Sequence, residues 1–164
     1  MRKVLLCLGG LAVLAGVAAS VQAAQVTSNL SVTITITNQC TAGSTSPVSF
    51  GSHGVLNTNF DATGSVSVTC TTSAPYTVGI GAGNGSGATL TARKMTGGGT
   101  ATVTYQLYRD NGRTLNWGDI ASGDTLAGTG SGSAQTITVY GRVASQTTPP
   151  ADTYNDTVLV TFDY

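Results

Sequence analysis

The residue types that carry most enzyme chemistry are scarce in this chain. It has a single histidine, His53, and no glutamate among 164 residues. Acid–base catalysis needs a group that accepts a proton and one that returns it, and a lone histidine in the loop sequence Gly51-Ser52-His53-Gly54 supplies little of that. Arg109, Asp110 and Arg113 cluster after an alternating run. They read as a carboxylate with a cationic clamp, or as a turn carrying surface ion pairs. With no base or nucleophile beside them, the turn is the better reading. Asp119 and Asp124 flank a loop, but their spacing matches no dedicated calcium loop. Gly79-Ile80-Gly81-Ala82-Gly83-Asn84-Gly85 misses the G-x-G-x-x-G spacing of a phosphate cradle and has no helical pattern after it. Trp117, the one tryptophan, serves either as a core or loop anchor or as a platform for a sugar ring. The expectation is a protein with no catalytic residues, no metal and no cofactor.

Cysteine is the remaining reactive type, and its meaning depends on the compartment. Arg2 and Lys3 precede an apolar run from Val4 to Ala19, and Val21-Gln22-Ala23 is a small-x-Ala cleavage signal. Residues 1–23 therefore read as a secretory signal peptide, cut after Ala23, that takes Cys7 with it. The run is too short, and lacks the flanking charges, for a retained membrane anchor, so no mature membrane span is expected. Two cysteines remain, Cys40 and Cys70. In an exported chain they read as one disulfide, closing a loop of about 31 residues and contributing roughly 3–4 kcal/mol in the chain-entropy picture.

Charge excludes a further class. Lys+Arg and Asp+Glu are 7 each, and charged residues are only 9% of the chain. Without Arg2 and Lys3 the remainder is slightly acidic, about −2. A nucleic-acid partner requires a basic field, and none is expected here.

The elements that must position these residues follow period two. Leu30, Val32, Ile34 and Ile36 alternate with Thr33, Thr35 and Thr37; Val66, Val68 and Cys70 form a second run, and Tyr76, Val78 and Ile80 a third. Val103, Tyr105 and Leu107 alternate with Thr102, Thr104 and Gln106; Ile137, Val139, Gly141 and Val143 alternate with Thr136, Thr138, Tyr140 and Arg142. The chain closes on Val158, Val160, Phe162 and Tyr164 against Thr157, Leu159, Thr161 and Asp163. Such alternation turns one face inward and one to water, and threonine suits the wet face because its branched Cβ fits the pleat. Gly79 to Gly87, Gly97-Gly98-Gly99, Gly128 to Gly132 and Pro149-Pro150 break the runs. No segment has helical length and period. The pattern predicts an all-β, antiparallel sandwich in one domain.

The run from Gln25 to Thr37 stands out. It is strongly β-prone, carries neither charge nor proline, and precedes the first cysteine. It is either an ordinary first strand of its own domain or a strand exchanged into a neighbour. Left free, such a sequence is an aggregation segment.

Several motifs then occur in a familiar order: Tyr105-Gln106-Leu107-Tyr108-Arg109-Asp110, Trp117-Gly118-Asp119, Val139-Tyr140-Gly141-Arg142, and Pro150-Ala151-Asp152-Thr153-Tyr154-Asn155-Asp156-Thr157. With the leader and the Cys40/Cys70 spacing, the chain resembles the spore coat protein U domain family, which includes subunits of archaic chaperone–usher pili. One departure is visible: the family usually has glycine after Pro-Ala, where this chain has Asp152, and a turn with φ > 0 there would suit aspartate less well.

The resemblance implies an immunoglobulin-like β-sandwich that is incomplete, missing its last strand and complemented by a donor strand. Residues 24–38 would be the donor segment, with Leu30, Val32, Ile34 and Ile36 filling pockets, and 39–164 the sandwich. Cys40–Cys70 would bridge the first two strands. The C-terminal strand with Val158, Val160, Phe162 and Tyr164 would border the groove. The implied partners are a periplasmic pilus chaperone, an outer-membrane usher and neighbouring subunits, with passage through the periplasm to a fibre at the cell surface serving adhesion and biofilm formation. The alternatives are a spore or cyst coat protein with the same fold, and a monomeric secreted module that binds carbohydrate or a surface through Trp117 and the Gly-rich loops.

Overall fold

The computed structural model describes residues 21–164, so the proposed leader up to Ser20 lies outside the described residues. The chain divides at Ile34 into a leading unit and a body, Thr35–Tyr164. Within 21–39 no residue is in a strand and every side chain is exposed. Leu30, Val32, Ile34 and Ile36 are 87%, 84%, 85% and 69% exposed. In spite of its high strand propensity, this run is in no strand among the described residues.

The body contains eight strands among the described residues: β1 (Cys40–Ser46), β2 (Phe60–Cys70), β3 (Pro75–Ile80), β4 (Arg93–Thr96), β5 (Thr102–Tyr108), β6 (Leu126–Thr129), β7 (Ala134–Val143) and β8 (Val160–Asp163). They form a five-stranded sheet in the order β1-β2-β7-β5-β4 and a three-stranded sheet in the order β6-β3-β8. Every pairing is antiparallel. The sandwich is therefore all-β, and no helix is present among the described residues.

The inward residues follow the sequence alternation. Val66 and Val68 of β2, Tyr76, Val78 and Ile80 of β3, Val103, Tyr105 and Leu107 of β5, and Val139 and Val143 of β7 are buried in one core. β2 and β7 share ten registered pairs, from Phe60↔Val143 to Thr69↔Ala134, and this long ladder is the spine of the larger sheet.

Other boundaries differ from the sequence pattern. β1 has only one buried residue, Cys40, so no hydrophobic alternation announces it. β4 and β6 are four residues each, too short to show a period. Gly79 lies inside β3 and Gly128 inside β6, where they act as close-approach positions rather than breakers. A Cβ on Gly79 would sit 2.7 Å from the Ile120 nitrogen. At Gly128 the ring of Tyr76 occupies the space a side chain would need.

Two polar knots hold the sheets and loops together. Trp117 is fully buried, and its indole Nε1 donates to the Val78 carbonyl at 2.9 Å. Arg93 is also fully buried. Its guanidinium donates to the carbonyls of Gly81 (2.8 Å), Leu90 (2.7 Å), Ile80 (2.8 Å) and Trp117 (2.6 Å). Burial draws its pKa down, but four carbonyl acceptors make the charge tolerable where it sits. This places Trp117 in the core, where it is inaccessible to a sugar.

Asp61 and Arg142 face each other across β2 and β7. Arg142 donates from Nε and Nη2 to the two carboxylate oxygens at 2.7 and 2.9 Å, and Arg113 Nε lies 3.3 Å from Asp61 Oδ1. The Arg142 hydrogen bond, against some desolvation, holds the Asp61 carboxyl below its ordinary value, and the charge of Arg113 adds to this. A carboxyl depressed in the folded state contributes stability above its unfolded value, near 3.9, and that contribution is lost as pH falls through the folded value. Asp61→Asn is expected to lower stability at pH 7 and to flatten the loss of stability below about pH 4. Denaturant midpoints measured from pH 7 to pH 2 check both slopes.

Candidate functional site

The feature of the body that invites a partner is a cleft between the sheets, about 990 Å³ in volume. Its floor comes from the strands that build the core: Val66, Ile80, Val103, Tyr105, Leu107, Val139 and Val143. Its walls are the end of β1 with the irregular residues 47–54 that follow it, and residues 148–158 before β8. Alternation thus lines the cleft with core side chains that are nearly fully buried, covered by the two walls rather than by a further described strand.

β8 runs along this cleft. It pairs with β3 from Ile80↔Val160 to Thr77↔Asp163, and it ends its sheet, so its second edge has no strand neighbour among the described residues. Val158, Val160 and Phe162 are half-buried against the core, whereas Tyr164 is exposed. An edge with free N–H and C=O groups beside an apolar floor is a template for another strand. The first wall has a similar character. Val48 and Phe50 are half-buried and turned to the core, while Pro47 and Ser49 between and before them are exposed.

The wall sits where it does because β7 carries Gly141. A Cβ there would lie 2.6 Å from Val48 Cγ1 and 2.9 Å from Phe50 Cζ. Glycine opens the slot that these two side chains occupy. Phe50 also packs edge-on to Tyr105, ring centroids 6.4 Å apart. His53 is exposed; its Nε2 donates to the Phe50 carbonyl at 2.6 Å, and its ring stacks on Phe60 at 3.7 Å. The one histidine is a loop fastener.

The second wall is pinned by carboxylates. Asp156 accepts from the Tyr105 hydroxyl (2.7 Å) and from the amides of Asn84 and Thr157 (2.8 Å each). Burial first, and the Asp156 carboxylate second, push the Tyr105 phenol well above its ordinary range, so it stays a neutral donor. Asp152 accepts from the Gly98 amide at 2.7 Å and from Thr153 at 2.7 Å, and these bonds lower its pKa. Among the described residues the non-glycine positions with positive φ are Ser73 and Arg113. Asp152 adopts no strained backbone and ties the β4–β5 hairpin to the wall instead.

The other candidate groups lie elsewhere and are engaged. Asp110 caps its turn by accepting from the amides of Thr114 and Leu115. Arg109 donates to the Thr125 carbonyl, and its guanidinium is 3.8 Å from Asp124. Arg113 reaches the carbonyls of Gly141 and Ala62 and lies over the Tyr140 ring. Asp119 accepts from Ser122 within its own loop. Among the described residues no three His, Cys, Asp or Glu side chains are grouped to hold a metal ion. Cys40 and Cys70 are joined by a disulfide between β1 and β2. Sequence reasoning missed Arg93, Asp156 and the wall at Val48 and Phe50. The spacing of Val48 and Phe50 was the available signal for the wall; nothing local marks Arg93 as buried.

A family model described as Spore Coat Protein U domain matches residues 26–161. Protein U of Myxococcus xanthus is 33% identical over 157 residues, covering 87% of each chain. Among solved structures, a chain in the chaperone–tip adhesion subunit pre-assembly complex from archaic chaperone-usher Csu pili of Acinetobacter baumannii has a similar fold, with a TM-score of 0.57 at 18% identity. The match covers 79% of this chain and 41% of that one.

The Gly141 slot makes a direct test of the wall. Gly141→Ala is expected to cost about 1–3 kcal/mol through overpacking, and Phe50→Ala in the same chain to recover part of that loss. A double-mutant cycle by chemical denaturation measures the coupling.

Proposed function

Because the chain belongs to the Spore Coat Protein U domain family, we propose that it is a structural subunit of a surface pilus, built by inserting the leading segment of one copy into the cleft of the next. The observation that supports this reading is the second edge of β8, which has no strand partner among the described residues, beside a cleft lined by apolar side chains. A strand laid along that edge pairs its backbone with β8 while alternate side chains enter the cleft, which is strand addition between chains. The segment 24–38 has the required chemistry: it is uncharged, β-prone and exposed, with Leu30, Val32, Ile34 and Ile36 on one parity. Burying those four side chains contributes roughly 6–12 kcal/mol gross, an upper bound.

The contact is head-to-tail, so it propagates into an open fibre rather than closing as a dimer. Before assembly, the same edge and floor are an aggregation hazard. A periplasmic chaperone that lends a strand removes the hazard, and an outer-membrane usher exchanges that strand for the next subunit's segment. In this reading the chain is exported by residues 1–23, passes through the periplasm, and acts at the cell surface in adhesion and biofilm formation. Its work is structural and needs no cofactor. Among the described residues no helix is long and apolar enough to cross a membrane.

A coat on a spore or cyst is the second reading, favoured by the family's description and by the likeness to Protein U. It uses the same strand exchange and differs in where the polymer accumulates. The binding-module alternative loses its Trp117 platform, since that ring is fully buried.

Removing residues 24–37 from the exported chain is expected to leave chaperone binding intact and to abolish polymer. Co-purification with the chaperone and electron microscopy read the two outcomes; fibres of normal length from the truncated chain overturn the donor role. Ile34→Asp is expected to block assembly with the chaperone-bound subunit still folded. Loss of chaperone binding in that variant places Ile34 in the subunit's own core and refutes the reading.

A further inference from the structure

The place where the leading segment joins the body is fastened more heavily than the strand it enters. β1 is an edge strand of seven residues, CTAGSTS, and only Cys40 is buried. Five registered pairs hold it to β2, and the register shifts between Ala42 and Thr45. With small, exposed side chains and a broken ladder, β1 has almost no apolar burial to keep it on the sheet.

Its first rung is different. The disulfide joins Cys40 to Cys70 at the end of β2, the strand with ten pairs to β7. Thr71, next to Cys70, doubles the rung. Its amide donates to the Gln39 carbonyl at 2.9 Å, its hydroxyl accepts from the Gln39 amide at 3.1 Å, and the same hydroxyl lies 3.1 Å from the Thr37 carbonyl. The Gln39 side-chain amide donates to the Tyr164 hydroxyl at 3.2 Å, at the end of the chain just beyond β8.

We propose that Cys40–Cys70, Thr71 and Gln39 form a tension clamp, which passes force from the outgoing segment directly into β2 and keeps β1 from being peeled off the sheet. The proposal rests on the strand-exchange reading above, in which each subunit is pulled through residues before Cys40 and through whatever lies along β8. Force applied at the first residue of an antiparallel edge strand breaks its rungs one after another. A covalent link at that first rung bypasses all of them. Without it, β1 and the irregular stretch to Phe60 would unravel, releasing about 20 residues, or roughly 70 Å of contour.

The test is single-molecule stretching of fibres assembled from the full exported chain, wild type and C40A/C70A. The expected result is one additional extension of roughly 70 Å per subunit in the variant before subunits separate, and none in wild type. Equal contour lengths in both overturn the clamp. If no fibres form from wild type, the strand-exchange reading fails instead, so the two failures are separable. Should the cysteine variant not fold, amide hydrogen exchange on chaperone-bound wild type and Thr71→Val decides. The Gln39 amide is expected to be protected at least tenfold over residues 25–36 and to lose that protection in Thr71→Val, with β2 and β7 amides unchanged. Exchange at Gln39 as fast as in residues 25–36 of wild type overturns the proposal.

Discussion

An unpaired strand edge above an apolar floor is the constraint that organises this protein. The edge of β8 offers hydrogen-bonding groups to a further strand, and the cleft beside it offers the half-buried apolar side chains of Val48, Phe50, Val158 and Val160. Each demand alone is weak: a bare edge is solvated at little cost, and a lone apolar patch binds loosely. Together they select an extended, uncharged strand with alternating apolar side chains, since only that occupant meets both demands at once. The leading segment of the chain has this composition.

A sandwich that stays open must hold its shape by other means. The core beneath the cleft is continuous from Val68 to Leu107, but the walls are irregular chain with few ladder bonds. Hydrogen bonds to fixed groups replace the missing strand as braces. Asp156 ties the wall before β8 to Tyr105 and to the loop at Asn84. Asp152 ties it to Gly98. Arg93 gathers four carbonyls from β3, its following loop and Trp117. Such bonds are directional, so they fix loop positions that hydrophobic contact alone would leave free. The cleft is preorganised, and less order has to be created when a strand enters.

How much of this was legible depends on whether a residue's environment is set locally. The alternation at Tyr76–Ile80, Val103–Leu107 and Ile137–Val143 identified β3, β5 and β7, because one buried face is enough to impose period two. β1 was invisible for the opposite reason: beyond Cys40 it buries nothing, so sequence has no pattern to carry. Arg93 in a short strand looks like any surface arginine. Its burial follows from carbonyls contributed by residues 80, 81, 90 and 117, a conjunction that only the fold creates. The run at Leu30–Ile36 shows the limit of propensity. It says what the segment does when given an edge, not whether its own sheets supply one, and here they do not. At Asp152 a departure from the family pattern suggested strain, whereas the carboxylate gains a bond that glycine could not make.

The distribution of charge fits the same logic. Charged residues are few, and most of those described are engaged in intramolecular bonds. Asp61 holds Arg142 and Arg113, Asp124 faces Arg109, Asp110 closes its own turn, and Arg93 is sealed in the core. Much of the strands' outer faces is threonine and serine, with Gln106 and Tyr140 among them. A subunit with strong net charge would repel its neighbours along a fibre, where like surfaces recur at short intervals. A nearly neutral surface removes that resistance but also removes the ordinary protection against unwanted association. The protection must then come from covering the adhesive features, the β8 edge with its cleft and the exposed run at Leu30–Ile36. On the strand-exchange reading, a borrowed strand along β8 would supply both the bond between subunits and the protection that charge does not.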